Sequence, residues 1–147
     1  MLIPVDVGAA IEQKPVPNGT YDLQITDCVD GKSQKGKPQL AMSIAIEGHE
    51  DAPNVRHWVS FPADGDDADT VKFKTLLLKR FLTLFKQPIP NAIDTEKLAM
   101  SLVGAKARAE VILDKPDDAG NVYNRLTVPR IREESQVAGA VAKPPKR

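Results

Sequence analysis

Few residues of this 147-residue chain could carry out chemistry, and their spacing does not fit the common catalytic sites. Gly31-Lys32-Ser33 has the ending of a phosphate-binding loop, but the first glycine of that motif would stand at position 26, which is Thr26. His49 and His57 lie eight residues apart, without the HExxH spacing of a zinc hydrolase. The sequence therefore predicts neither a nucleotide-binding loop nor a zinc centre.

The cysteine and the acidic residues do not form a catalytic set either. Cys28 is the only cysteine, which excludes an intramolecular disulfide, and its place near the end of an apolar stretch indicates a packing residue rather than a nucleophile. The acidic stretch 64–69 lacks the spaced ligands and the closing Glu of a calcium loop. We therefore predict a protein that is not an enzyme and that uses no cofactor and no metal.

Cations and aromatic side chains recur at alternate positions in three stretches of the chain, and a basic loop precedes them. Single-stranded nucleic acid binds to surfaces of this kind, because cations follow the phosphates and aromatic rings stack on the bases. A plainer interpretation stays open, in which these are solvated strand faces and Trp58 packs under a loop or a neighbouring subunit. The candidate DNA-binding residues are Lys32, Lys35, Lys37, Arg56, Trp58, Lys106, Arg108, Tyr123 and Arg125.

Alternation of apolar and polar residues predicts the strands that would position these side chains. The first strand begins at Gly19, and the polar stretch 30–38 after it is predicted to be a long loop. The inward-facing positions are Tyr21, Leu23 and Ile25 in the first strand, Leu40, Met42, Ile44 and Ile46 in the second, Val55, His57, Val59 and Phe61 in the third, Ala107, Ala109, Val111 and Leu113 in the fourth, and Val122, Leu126 and Val128 in the fifth.

One amphipathic α-helix is predicted near 69–86, between the third and fourth strands. Pro88 and Pro90 end it, and a short helical turn follows near 96–101. The polar half of the helix at 69–86 carries lysines that we expect to face solvent without a binding role. They are Lys72, Lys79 and Lys86. The broad apolar half consists of Phe73, Leu77, Leu78, Phe81, Leu82, Leu84 and Phe85.

Three strands, one helix and two further strands form the layout of an OB-fold, a mainly β, five-stranded Greek-key barrel. The helix would close one end of the barrel with its apolar half. The proline-containing segment 1–17 is predicted to be an N-terminal arm and 18–131 the OB-fold domain. Residues 132–147, which end in Lys143-Pro-Pro-Lys-Arg147, are predicted to be a flexible basic C-terminal tail.

The charge balance excludes a polycation but not a basic groove. The chain has 20 basic and 20 acidic residues. Many acids fall in the connecting stretches 47–51, 64–69 and 114–118, and the last of these counts against the nucleic-acid interpretation because it should flank the groove. No apolar run reaches the ~18 residues of a membrane span and no secretory signal is visible, so we expect a cytoplasmic protein without a membrane partner.

Several short motifs resemble those of phage-encoded single-stranded DNA-binding proteins with an OB-fold. They are Gly19-Thr-Tyr21, Lys35-Gly-Lys-Pro-Gln-Leu40, Phe61-Pro62, Val103-Gly-Ala-Lys106 and Tyr123-Asn-Arg-Leu126, together with the Leu/Phe/Lys helix, and the resemblance covers roughly 17–131. The resemblance implies sequence-tolerant DNA binding in phage replication or recombination, in the host cytoplasm and without catalysis. By the same resemblance, the first contacts would be Lys32, Lys35, Lys37, Trp58 and Arg125.

The chain departs from many single-strand binders at its end, where an acidic tail that recruits replication proteins is replaced by a basic one. Recruitment of phage replication or recombination proteins through such a tail is therefore in doubt. The alternative function is a protein-interaction or structural accessory module that uses the barrel without binding nucleic acid. The oligomeric state, the site size and the preference between DNA and RNA stay open.

Overall fold

Five β-strands and two α-helices follow one another along residues 1–10 and 12–131, the part of the chain that the computed structural model describes. The predicted tail, 132–147, lies outside the described residues. Both helices lie between the third and fourth strands in chain order, and the second of them covers the short helical turn predicted near 96–101. The strands are β1 (Gly19–Lys32), β2 (Pro38–Ile46), β3 (Val55–Ser60), β4 (Lys106–Leu113) and β5 (Asn124–Leu126), and the helices are α1 (Ala68–Leu84) and α2 (Thr95–Leu102).

The strands form one antiparallel sheet in the order β3-β2-β1-β4-β5. The central strand β1 pairs along most of its length with β2 and through its first residues with β4. The edge strands β3 and β5 approach each other, so the sheet is a nearly closed barrel. Among the described residues no backbone hydrogen bond joins these two edges, and we call the gap between them the seam.

The barrel core consists of the aliphatic side chains that the alternation assigns to the interior. All four inward positions of β2 are buried, and Leu23 and Ile25 of β1 are fully enclosed. Burial of one such side chain contributes about 1.5–3 kcal/mol. This burial fixes the register of the strands, because a shift of one residue would expose all of these side chains to solvent.

A bulge in β1 changes which residues face the core. The pairing with β2 shifts between Ile25 and Asp27, and beyond the shift Cys28 is buried whereas Val29 is exposed. An extra residue in one strand reverses the alternation, which explains this change. The strand then continues to Lys32, so the predicted loop over 30–38 is wrong in extent, and only 33–37 connects β1 to β2.

Both helices begin at aspartate caps. The Asp67 carboxylate accepts a hydrogen bond from the Thr70 N–H at 2.7 Å, and Asp94 accepts one from the Lys97 N–H at 3.1 Å. These bonds satisfy backbone donors that lack partners within the helix. Helix α2 packs on β1, with Leu102 fully buried.

The apolar half predicted for α1 is only partly buried. The stripe of Leu78, Phe81, Leu82 and Phe85 lies in the core. Phe73 and Leu77 are 59% and 41% exposed, so the prediction is wrong for them. The helix packs on the barrel through a narrow stripe in its C-terminal half, and no residue from 68 to 77 is buried. Leu113, at the end of β4, is also exposed instead of buried.

The N-terminal segment is anchored to the barrel at Val16. The Val16 side chain is buried, and the Asn124 side chain accepts from the Val16 N–H and donates to its carbonyl, each at 2.9 Å. Residues 1–10, which include a 3-10 turn at Val7–Ala9, are exposed. Neither helix in the described part of the chain is long and apolar enough to cross a membrane.

Candidate nucleic-acid interface

The outer face of β3 presents Trp58, the one tryptophan of the chain. Its side chain is 53% exposed, and the Arg56 guanidinium carbon lies 5.9 Å from the centre of the indole ring. The residues opposite on β2 are Ala41 beside Trp58 and Ser43 beside Arg56. Because these neighbours are small, they leave the ring accessible. An open aromatic ring next to a cation can stack on a base while the cation contacts a phosphate.

The turn between β1 and β2 brings Lys35 to the same surface. The Ser33 N–H donates to the Lys37 carbonyl and the Gly36 N–H donates to the Ser33 carbonyl, each at 2.8 Å. Gly36 has φ of 78°, a left-handed conformation that suits glycine. Lys35 and Trp58 line one shallow depression, and Lys32 is exposed at the end of β1. The structure therefore groups Lys35, Arg56 and Trp58, and we call this group the β3 patch. Lys32 lies apart from it, because Lys32 pairs with Pro38 whereas Trp58 pairs with Ala41, three positions further along β2, so the two side chains leave opposite faces of the sheet.

Lys37 has a different position from its neighbours in the turn, because it is bound to a buried carboxylate. Its Nζ lies 2.6 Å from one oxygen of Asp66, and the other oxygen accepts from Lys74 Nζ at 2.8 Å and from the Ala63 N–H at 2.9 Å. The Asp66 side chain is 2% exposed. These hydrogen bonds, that of Lys37 above all, hold the pKa of the Asp66 carboxyl well below its ordinary value of 3.8.

The role of Asp66 was missed by sequence reasoning. The stretch 64–69 shows as a cluster of acids before a helix, a pattern that the helix dipole alone explains. No local signal connects it to Lys37, which lies 29 residues earlier in the chain. Asp66 joins the β1–β2 turn to α1 and thereby fixes the position of the turn beside the β3 patch.

The predicted cations of β4 and β5 lie beside acidic side chains. Their nitrogen–oxygen distances are 3.9 Å for Lys106 to Glu47, 3.1 Å for Arg108 to Asp22 and 3.6 Å for Arg125 to Asp114. All of these side chains are exposed, so the pairs contribute little stability, but each carboxylate offsets the cation's attraction for a phosphate. Among the described residues, Lys32, Lys35 and Arg56 have no such acidic neighbour.

Tyr123 does not join Trp58. It is 51% exposed, but it lines a separate hollow together with Glu12, Glu50 and Asp51, near the connection between β2 and β3. Acidic side chains there disfavour a phosphate backbone. The structure therefore separates the two aromatic residues that the alternation pattern placed in one groove.

A cavity of about 270 Å³ opens beside Trp58 where the seam meets α1. His57 on its wall stacks on Phe81 with ring centres 5.3 Å apart, and burial lowers the pKa of this histidine below 6.5, so its imidazole is neutral at pH 7. The cavity was missed by sequence reasoning, because it depends on how α1 packs against two strand edges. It is lined by His57, Trp58, Val59 and Ser60 of β3, by Lys74, Leu77 and Phe81 of α1, and by Leu126 and Val128.

Cys28 lies apart from this site. Burial, with the nearby Asp27 and Asp30 carboxylates, raises the pKa of its thiol to about 11. Across the described residues, no group of three or more His, Cys, Asp or Glu side chains is arranged to hold a metal ion. No protein-family model matches the chain, and no curated protein is similar to it in sequence.

Proposed function

We propose that this protein binds single-stranded DNA, largely without sequence preference, through the β3 patch. The observation that carries the proposal is the half-exposed indole of Trp58 beside Arg56 and the Lys35 turn. Rings of this kind stack on any base, and each stacked base contributes about 1–3 kcal/mol. Lys35 and Arg56 would contact the phosphates on either side.

The proposal includes an OB-fold of Greek-key topology. It is supported by the spatial order β4-β1-β2-β3, with a long connection from β3 to β4, which is the arrangement of a Greek key. In OB-folds the face of the second and third strands and the loop between the first and second strands bind oligonucleotides. The β3 patch occupies the corresponding place in this chain.

The proposed setting is phage replication or recombination in the cytoplasm of the host. It is supported by the motifs from Gly19-Thr-Tyr21 to Tyr123-Asn-Arg-Leu126 that resemble phage single-strand binders. Phage replication or recombination proteins would be the further partners. The proposal also includes membership of a phage family. Identification of the genes that neighbour the coding sequence tests this part directly.

An interaction module is the second candidate function, and α1 is the feature that favours it. Phe73, Leu76 and Leu77 are 59%, 39% and 41% exposed on this helix. An apolar helix face of this kind fits a partner protein. A protein of this class would show no affinity for oligonucleotides.

Fluorescence titration with an oligothymidine tests the proposed function. Since Trp58 is the sole tryptophan, stacking should quench the emission at low salt, and added salt should restore it. We expect Trp58→Ala, followed by anisotropy of a labelled oligothymidine, to weaken binding roughly 5- to 150-fold, the loss that one stacked base implies.

Tyr123→Ala is the matched control, because Tyr123 is an aromatic residue of nearly equal exposure in the separate hollow. It should bind the oligothymidine as the unmodified protein does. If the unmodified protein neither quenches nor retards an oligothymidine, the proposal is wrong and the interaction module takes its place.

A further inference from the structure

We propose that the cavity at the seam binds one unstacked base of the bound strand, edge first, next to the base that stacks on Trp58. This inference rests on the proposed function and deepens it. Its first support is position, because Trp58 lines both this cavity and the depression that contains Lys35. A strand that crosses the β3 patch would therefore pass the mouth of the cavity.

The size and lining of the cavity suit a planar ring. Its volume is about 270 Å³, whereas an apolar cavity of ~150 Å³ already admits a benzene ring. The walls are Leu77 on α1 and Val128 after β5, and Phe81 lies deeper. Contacts with such side chains favour the faces of a heteroaromatic ring over a sugar or a phosphate.

The charge of the cavity also favours a neutral ring. Its one cationic side chain, Lys74, is bound to Asp66 at 2.8 Å and is largely buried. The His57 imidazole on the opposite wall is neutral at pH 7, because burial lowers its pKa. A phosphate would find no uncompensated cation in the cavity, so the phosphates are expected to stay outside, near Arg56 and Lys35.

Unpaired backbone groups supply hydrogen bonds for the edge of the base. The Phe61 N–H donates to the Pro38 carbonyl at 3.1 Å, and the bonds of an antiparallel pair alternate along the strand. The N–H and C=O groups of Trp58 and Ser60 therefore point away from β2 and into the seam. No backbone group of β5 bonds to them in the described part of the chain. Base edges carry both donors and acceptors, which such groups can satisfy.

Filling the cavity tests the inference. Leu77→Trp adds bulk to one wall at a position that is already 41% exposed, so the barrel core is unaffected. We expect this variant to bind a labelled oligothymidine at least about fivefold more weakly by anisotropy, the lower limit for loss of one base contact. Its affinity for a strand of abasic deoxyribose phosphates of the same length should not change.

Leu76→Trp is the matched control, because Leu76 is 39% exposed on the same helix and does not line the cavity. It should bind both strands as the unmodified protein does. Thermal unfolding shows whether Leu77→Trp folds. If it does not, Val128→Phe replaces it as the filling variant, because Val128 lies on the opposite wall of the cavity.

The outcomes separate the two proposals. If the folded filling variant binds oligothymidine as tightly as Leu76→Trp does, the proposal that the cavity binds a base is wrong. The proposal that the β3 patch binds single-stranded DNA is then unaffected. If the filling variant loses affinity for the abasic strand to the same extent, it has disturbed phosphate contacts and the base pocket is again wrong. If the unmodified protein binds neither strand, the proposed function itself has failed.

Discussion

Cys28 and Trp58 show how position along a strand determines the environment of one side chain. Cys28 follows the bulge in β1, which turns its side chain toward the core, and the negative charges of Asp27 and Asp30 raise its pKa further. Trp58 is on the outer face of β3, where the neighbouring residue on β2 is an alanine. The thiol is therefore shielded from solvent and reagents, whereas the indole is available to a ligand.

We predict that Cys28 reacts very slowly with iodoacetamide at neutral pH. A thiol with a pKa of about 11 is ionised in about one molecule in ten thousand at pH 7, and the thiolate is the form that reacts. Mass spectrometry should show little modification of the folded protein and rapid modification in urea. Rapid modification without denaturant would contradict the burial of this side chain.

At the scale of secondary-structure elements, Asp66 connects three segments that are separate in the sequence. Its two oxygens accept from Lys37 in the β1–β2 turn, from Lys74 on α1 and from the Ala63 N–H in the intervening loop. Because the turn also contains Lys35, this carboxylate determines where part of the β3 patch lies. A change at Asp66 should thus affect the site from a distance.

We predict that Asp66→Asn is less stable at neutral pH and has a looser β1–β2 turn. The folded protein lowers the pKa of Asp66 below 3.8, so its stabilising contribution is complete above that pH and declines as the pH falls further. The gap in thermal midpoint between the unmodified protein and Asp66→Asn should therefore narrow in acid. Hydrogen exchange at the Gly36 N–H should be faster in the variant.

Asp64→Asn provides the comparison, since Asp64 is an exposed carboxylate in the same loop. It should leave the midpoint and the exchange rate nearly unchanged. Equal effects of the two substitutions, or a gap that widens in acid, would show that Asp66 does not hold the turn as the geometry indicates.

At the scale of the whole molecule, zero net charge conceals an uneven distribution. On β4 and β5, the cations Lys106, Arg108 and Arg125 lie beside the carboxylates of Glu47, Asp22 and Asp114. Among the described residues, the cations of the β3 patch form no ion pair with a carboxylate. The protein therefore offers a strand a short positive surface at one side of the barrel rather than a groove around it.

We predict a shallow salt dependence of oligothymidine binding. Each engaged cation contributes about −0.7 to the slope of log affinity against log salt for a single strand. The two cations of the β3 patch predict a slope of about −1.4, whereas the seven candidate cations of the sequence would give about −5. Titrations at several salt concentrations measure this slope.

Single substitutions show which cations contribute to the salt dependence of oligothymidine binding. Arg56→Ala should reduce its magnitude by about 0.7, and Arg108→Ala should leave it nearly unchanged because Asp22 already lies beside that guanidinium. A slope near −5 for the unmodified protein, or an equal effect of Arg108→Ala, would mean that the ion pairs open on binding and that β4 belongs to the interface.

Much of the fold could be predicted from the chain because its signals are local. Period-two alternation depends only on adjacent residues, and it identified every buried position of β2 and the outward direction of Trp58. The predicted helix near 69–86 agrees closely with α1, whose start is marked by the Asp67 cap. The bulge in β1 was not predictable, since an extra residue leaves no trace in composition and simply reverses the alternation at Cys28.

The sequence by itself therefore determined which residue types lie on which strands, and with them the cations and rings that are candidates for binding. Only the tertiary structure decided which of these cations remain free, because Arg108 meets an aspartate 86 positions away and Lys37 one 29 positions away. Such pairs follow from strand register and helix packing, which join residues that no local pattern relates. The cavity beside Trp58 has the same origin, as it exists only where two strand edges and α1 come together.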